Sequence, residues 1–110
     1  AALEAIDPTV FCPSSACDIG CGSGILTLAI VRLFDCPVIA TDISAQAIET
    51  MQDNAIRNGA ETLVFAYQSS GFNHPAVHAG QPYDLIVMNI LAEPLLALAR
   101  DAERALAPLI

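Results

Sequence analysis

Lysine is absent from this sequence, and positive charge as a whole is scarce: four arginines (Arg32, Arg57, Arg100 and Arg104) against twelve acids give a formal net charge of −8. An acidic surface repels phosphate backbones, so direct nucleic-acid binding by this segment is disfavoured and a basic protein is the electrostatically favoured partner. Cysteine-pairing signals are missing too. Cys12, Cys17, Cys21 and Cys36 contain no CxxC pair and match no zinc spacing, so packed, reduced thiols are expected and a metal centre is not. The chain does not open with a basic region followed by an apolar run, so it shows no secretory signal. Long apolar runs are also lacking. Residues 19–31 are too few to span a bilayer, and residues 62–83 are broken by Gly, Pro, His and polar positions. No membrane association is expected, and the cytoplasm is the natural compartment.

What is present suits one compact domain: 110 residues, 55% of them hydrophobic, supply ample material for a core. The chain begins without Met and ends at ALAPLI, which reads as a fragment of something longer. Runs with strand character alternate with helical spacing. Residues 1–6 read as the tail of a helix stopped by Asp7 and Pro8. Residues 15–19 are a poor strand by propensity, placed mainly by the glycine turn that follows them. Residues 24–34, apolar on nearly all sides, predict a buried helix. Residues 38–41 form a short apolar run ending at Asp42, as in a parallel strand covered on both faces. Ser44 can cap a helix through Asn58, with Ala47, Ile48, Met51, Ala55 and Ile56 on one stripe and Gly59 beyond its end. Residues 63–67 and 84–89 predict further strands, and Pro94 suits the first turn of a helix to about residue 107. The longest irregular stretch is 68–82. This alternation is that of an α/β, doubly wound parallel sheet of Rossmann-like type, truncated after the fourth strand and the helix that follows.

DIGCGSGILTLAI (residues 18–30) packs Gly20, Gly22 and Gly24 into the turn between the first strand and its helix. Glycine admits unusual dihedrals and lets the backbone approach a ligand, at the strand ends where such folds bind them. The helix start also offers unpaired N–H groups to an anionic group. A dinucleotide fingerprint, GxGxxG, fails here because Ile25 occupies the third glycine position. Asp42, eighteen positions beyond Gly24, ends the second strand, where a carboxylate can accept two hydrogen bonds from ribose hydroxyls. A capping role for Asp42 is the alternative, although Ser44 can cap by itself. Asp18 reads as a buried acid satisfied by the N–H groups of the turn. Cys21 reads as a small filler whose backbone N–H matters more than its sulfur. His74 and His78 lie in the long loop, where solvated histidines are expected rather than a general base.

The pattern DxGxGxG, Asp18 with Gly20, Gly22 and Gly24, resembles the first motif of class I S-adenosyl-L-methionine-dependent methyltransferases. DLIVMNILAEPL (84–95), TDISAQAIETMQDNAIRNG (41–59) and ALEAIDP (2–8) resemble, in order and spacing, the PrmA family, which methylates amino groups of ribosomal protein L11. The resemblance covers most of the chain. It implies S-adenosyl-L-methionine as cofactor, methyl transfer to an amino group of a ribosomal protein, and cofactor contacts from Asp18, Gly20, Cys21, Gly22, Gly24, Asp42, Ile43, Ser69 and Asn89. It also implies that Asn89 orients the attacking amine through its side-chain oxygen, with Glu93 either assisting or simply solvated at a helix start. Three departures stand out. The family's first strand is more apolar than SSAC (14–17). Gln68, Ser69 and Ser70 replace an acid often found near the adenine amino group. The later strands and the substrate-recognition domain are missing, so residues 1–110 read as a partial cofactor-binding core. Three other readings stay open: a methyltransferase of the same core acting on a small molecule or another protein, a module that binds cofactor without turnover, and an NAD-binding oxidoreductase domain. The last is opposed by Ile25 and by the Asn-Ile-Leu segment (89–91).

Overall fold

The computed structural model describes residues 13–88. The helices expected at 1–6 and from Pro94, together with Asn89 and Glu93, lie outside the described residues. Within them the chain runs β1 (Ala16–Ile19), α1 (Ile25–Phe34), β2 (Val38–Asp42), α2 (Ala45–Arg57), β3 (Val64–Gln68), α3 (Pro75–Ala79) and β4 (Leu85–Met88). The four strands form one sheet in the order β3-β2-β1-β4, all parallel. The order reverses direction at β1, and in open parallel sheets such a reversal marks the rim where ligands enter.

β1 is the least strand-like stretch by composition, yet every residue of it is buried, and Ala16 through Ile19 pair with β2 on one side and β4 on the other. Position overrides propensity here, since small side chains suit a central strand with layers packed on both faces. Ala16, Val38 and Val87 pack against Leu26 and Ile30 of α1, while Ala40 packs with Leu28 of α1 and with Ile48, Met51 and Ala55 of α2. Cys17 and Ile19 point the other way, against Val77 of α3, with Phe72, Tyr83 and Ile39 around them. The period-2 alternation of the strands thus divides a core of three layers: α1 and α2, the sheet, and α3.

α1 starts at Gly24, whose φ of 94° takes the left-handed region with no side-chain cap, and it stops at Asp35, also left-handed at φ 51°. Asp is one of the few residues that tolerates that conformation. α2 carries the expected cap, the Ser44 hydroxyl accepting from the Ala47 N–H at 3.2 Å. Its stripe differs from the expected one. Ile56 is 63% exposed, whereas Asn54 is fully buried beside Met51 and Ala55. The stretch 68–82, expected to be irregular throughout, contains α3, which begins with Pro75 at its first turn. Among the described residues no helix is long and apolar enough to cross a membrane.

Candidate cofactor-binding site

The turn between β1 and α1 is shaped by three left-handed glycines, with φ of 78° at Gly20, 55° at Gly22 and 94° at Gly24. The three serve different ends. A Cβ at Gly24 would overlap the thioether of Met51, which is fully buried, so this glycine lets α2 close against the turn. A Cβ at Gly22 would meet nothing within 4 Å, so what is required there is the backbone dihedral and an uncluttered surface. Gly20 and Cys21 both donate their N–H groups to the Thr41 carbonyl, at 2.7 and 2.9 Å, which fastens the turn to the end of β2.

Asp42 completes that fastening. Its Oδ2 accepts from the Gly22 N–H at 3.0 Å and its Oδ1 from the Ser44 N–H at 2.9 Å. The carboxylate therefore links the glycine turn to the start of α2, combining the capping role with a place on the rim. A carboxylate has about four lone-pair sites, so Asp42 keeps acceptor capacity for further donors. Beside it opens a cavity of about 310 Å³ lined by Ile19, Gly20, Asp42, Ile43, Ser69 and Gly71. The far wall is tied to β2 as well: the Ser69 N–H donates to the Asp42 carbonyl at 2.9 Å, and Gln68 Nε2 donates to the Ile43 carbonyl at 3.2 Å. Ile43 is 73% exposed, a large apolar side chain left on the rim.

Four of the expected site residues, Gly20, Asp42, Ile43 and Ser69, thus line one cavity. Gly22 borders a neighbouring hollow of about 290 Å³, shared with Ser23, Ser44, Gln46, Ala47 and Thr50, and reaches the first cavity only through Asp42. Asp18, beneath the turn, and Cys21 and Gly24, within it, are buried. A larger hollow of about 470 Å³ lies between the last turns of α1 and α2, beside Asp35 and Gly59, and includes none of the expected residues.

Asp18 is held by the Thr27 hydroxyl of α1, which donates to its Oδ2 at 2.5 Å. Burial raises its pKa to about 6; the Thr27 bond pulls it down and the nearby Asp42 charge adds to the rise. Burial, then Asp18 and Asp42, pushes the Cys21 thiol up to about 12, so the sulfur remains a protonated packing group, as its place among Leu28, Ala40 and Met51 also indicates. Cys17, Cys21 and Cys36 are unpaired buried thiols. His74, expected in a solvated loop, instead caps α3: its Nδ1 accepts from the Ala76 N–H at 3.0 Å, and its ring stacks on Tyr67 with centroids 4.4 Å apart. Sequence reasoning missed Thr27 and Asn54. Asn54 left a readable signal, being a polar residue three positions after Met51 in the phase of an apolar stripe.

The sheet order, the glycine turn over a buried acid and the carboxylate ending β2 together define a Rossmann-like α/β core of the class I methyltransferase type. Known proteins narrow this further. The family model of ribosomal protein L11 methyltransferase (PrmA) matches residues 1–109. A ribosomal protein L11 methyltransferase of Brucella suis is 43% identical over 108 residues, covering 96% of this chain and 38% of that protein. Among solved structures, the ribosomal protein L11 methylase from Lactobacillus delbrueckii subsp. bulgaricus superposes with a TM-score of 0.62 at 35% identity, covering 88% of this chain and 46% of that one. An RNA methyltransferase from Salinibacter ruber, in complex with S-adenosyl-L-homocysteine, shares the fold alone, with a TM-score of 0.63 at 19% identity over 97% of this chain and 66% of that one. The chain belongs to the PrmA family. It spans 38% of the length of the Brucella relative.

Proposed function

We propose that this chain is the cofactor-binding core of an S-adenosyl-L-methionine-dependent methyltransferase that acts on an amino group of a ribosomal protein. One observation carries the reading: Asp42 grips the glycine turn through the Gly22 N–H and borders, with Gly20, a cavity open at the sheet's rim. That donor set fits an adenosyl group. Gly20 presents backbone without a side chain, Asp42 has lone pairs left for the ribose hydroxyls, and Ile43 offers apolar surface to a base. Ser69, bonded through its N–H to the Asp42 carbonyl and lining the same cavity, stands in the stretch where many methyltransferases carry an acid. Asp18, buried below the turn, sets the local charge that an ammonium group would meet.

The bound cofactor supplies an activated, electrophilic methyl group, so what remains for the protein is alignment and the exclusion of water. The glycine turn, fastened at Thr41 and Asp42, fixes where the adenosyl end sits. Asn89, outside the described residues, is assigned by its sequence context to orient the incoming neutral amine through its side-chain oxygen. A dedicated base is unnecessary when the amine arrives deprotonated. The net charge of −8 suits a basic ribosomal protein as substrate. The names borne by the relatives point to L11 in particular.

The test is methyl transfer by the complete protein from labelled S-adenosyl-L-methionine to purified ribosomal protein L11, read by mass spectrometry. Methylated amino groups on L11, lost in Asp42→Ala, are expected. Absence of transfer to L11 by a protein that binds the cofactor would overturn the substrate assignment.

A further inference from the structure

The glycine turn is held from two sides, and only one of them is the strand. On the side of β2, Asp42 takes the Gly22 N–H. On the side of α2, the amide of Asn54 donates to the Ser23 carbonyl at 2.9 Å, across 31 residues of sequence. Asn54 is fully buried in the middle of a helix. A buried amide is costly unless it is hydrogen-bonded, and Leu would fill the same stripe position without that cost. The position therefore holds a polar group where packing alone would favour an apolar one. Its partner, Ser23, lies between Gly22 and Gly24, two of the three pliant glycines of the turn. Next to it, Met51 occupies the space that a Cβ at Gly24 would need. In the middle of α2 the helix is thus shaped to the turn by a directional bond and a packing contact.

We infer that Asn54 is a positioning residue for the cofactor site: by fixing the Ser23 carbonyl it orients the Ser23–Gly24 peptide and keeps the Gly22 N–H on Asp42, so that the carboxylate stays aimed into the cavity. The inference rests on the cofactor-binding reading above. It acts through the backbone and not through contact with the ligand. Its loss raises the concentration of cofactor needed without slowing the aligned transfer.

The experiment compares the parent with Asn54→Leu, which removes the donor while keeping the branched side-chain shape, and with Ile30→Val, a distant core change in α1 that controls for lost stability. Three readouts are taken on the complete protein: calorimetric affinity for S-adenosyl-L-homocysteine, KM for S-adenosyl-L-methionine against kcat, and amide hydrogen exchange at Gly22 and Gly24 without ligand. Expected for Asn54→Leu are a dissociation constant and KM raised roughly 3- to 10-fold, the loss of about one hydrogen bond, with kcat within about twofold of the parent. Faster exchange at Gly22 is expected as well. Ile30→Val should change none of these even where its melting temperature falls equally. Unchanged affinity and exchange in Asn54→Leu, or an equal effect of Ile30→Val, would overturn the inference. A parent that fails to bind S-adenosyl-L-homocysteine overturns the functional reading instead, and the exchange arm still decides whether Asn54 fixes the turn.

Discussion

The segments that follow β1 and β3 both form walls of the same cavity, and they are built in opposite ways. After β1 the chain turns within five residues, 20–24, using left-handed glycines whose neighbouring N–H and carbonyl groups are tied to Thr41, Asp42 and Asn54. After β3 it wanders from 69 to 82, with one left-handed glycine at 71 and a five-residue helix anchored by Val77. There the Tyr83 hydroxyl donates to the Val77 carbonyl at 2.6 Å, and His74 caps the helix. The first wall is fixed throughout by bonds to β2 and α2; the second is tied to β2 at its start, where the Ser69 N–H meets the Asp42 carbonyl and the Thr41 hydroxyl donates to the Gly71 carbonyl, and further on by a few side chains of its own. Preorganised backbone suits the part of a site that must be the same for every turnover, whereas a locally built wall can differ between relatives without disturbing the core.

Substitutions can sharpen that contrast. The largest effect is expected for Gly24→Ala, which sets a Cβ against buried Met51 at a φ of 94°. Strain and overpacking together should cost about 3 kcal/mol, a fall of more than about 10 °C in melting temperature for a chain of this size. Next comes Asp18→Asn. Burial raises the Asp18 pKa from 3.8 to about 6, so the folded chain holds this proton more tightly than the unfolded one. Stability from this group is therefore greatest below about pH 4, declines as pH rises through about 6, and is level above that. The Asn variant should lose that slope in urea titrations and be more stable than the parent near pH 7, by about 2–3 kcal/mol. Gly22→Ala should cost only about 1–2 kcal/mol, the left-handed dihedral alone, yet weaken S-adenosyl-L-homocysteine binding about tenfold by loosening the Gly22 N–H bond that aims Asp42 into the cavity. Smallest is His74→Ala. Loss of the cap should cost about 0.5–1 kcal/mol, seen as faster amide exchange around Val77 with the β1 turn unchanged. An equal response of the turn would erase the distinction between the two walls.

The same contrast separates what could be read from the sequence from what could not. Glycines and a strand-ending acid leave a signature because each answers a backbone requirement, so the turn, Asp42 and the order of the elements were legible. β1 was located by its turn although its composition argues against a strand; centrality in the sheet is a tertiary property that propensity does not contain. The helix at Pro75–Ala79 escaped notice because five residues offer no periodicity, and its cap is a histidine ring nitrogen instead of the usual Ser, Thr, Asp or Asn. Spacing puts Ile56 on the buried stripe and leaves Asn54 off it, because an apolar count ranks Ile above Asn. The structure reverses them, since the buried face of α2 meets a carbonyl of the turn there. Asp18 was expected to be buried or to face the ligand; its Thr27 partner lies nine positions on, where no local rule would pair them.

The proposed role of the glycine turn and Asp42 is that of one device for holding an adenosyl group. It is tested most directly by calorimetric titration of S-adenosyl-L-homocysteine, and separately of NAD, into the parent and into Asp42→Ala. Saturable binding of S-adenosyl-L-homocysteine by the parent, its loss in the variant and no binding of NAD are expected. Binding of NAD alone, or S-adenosyl-L-homocysteine affinity that survives intact in Asp42→Ala, would contradict it.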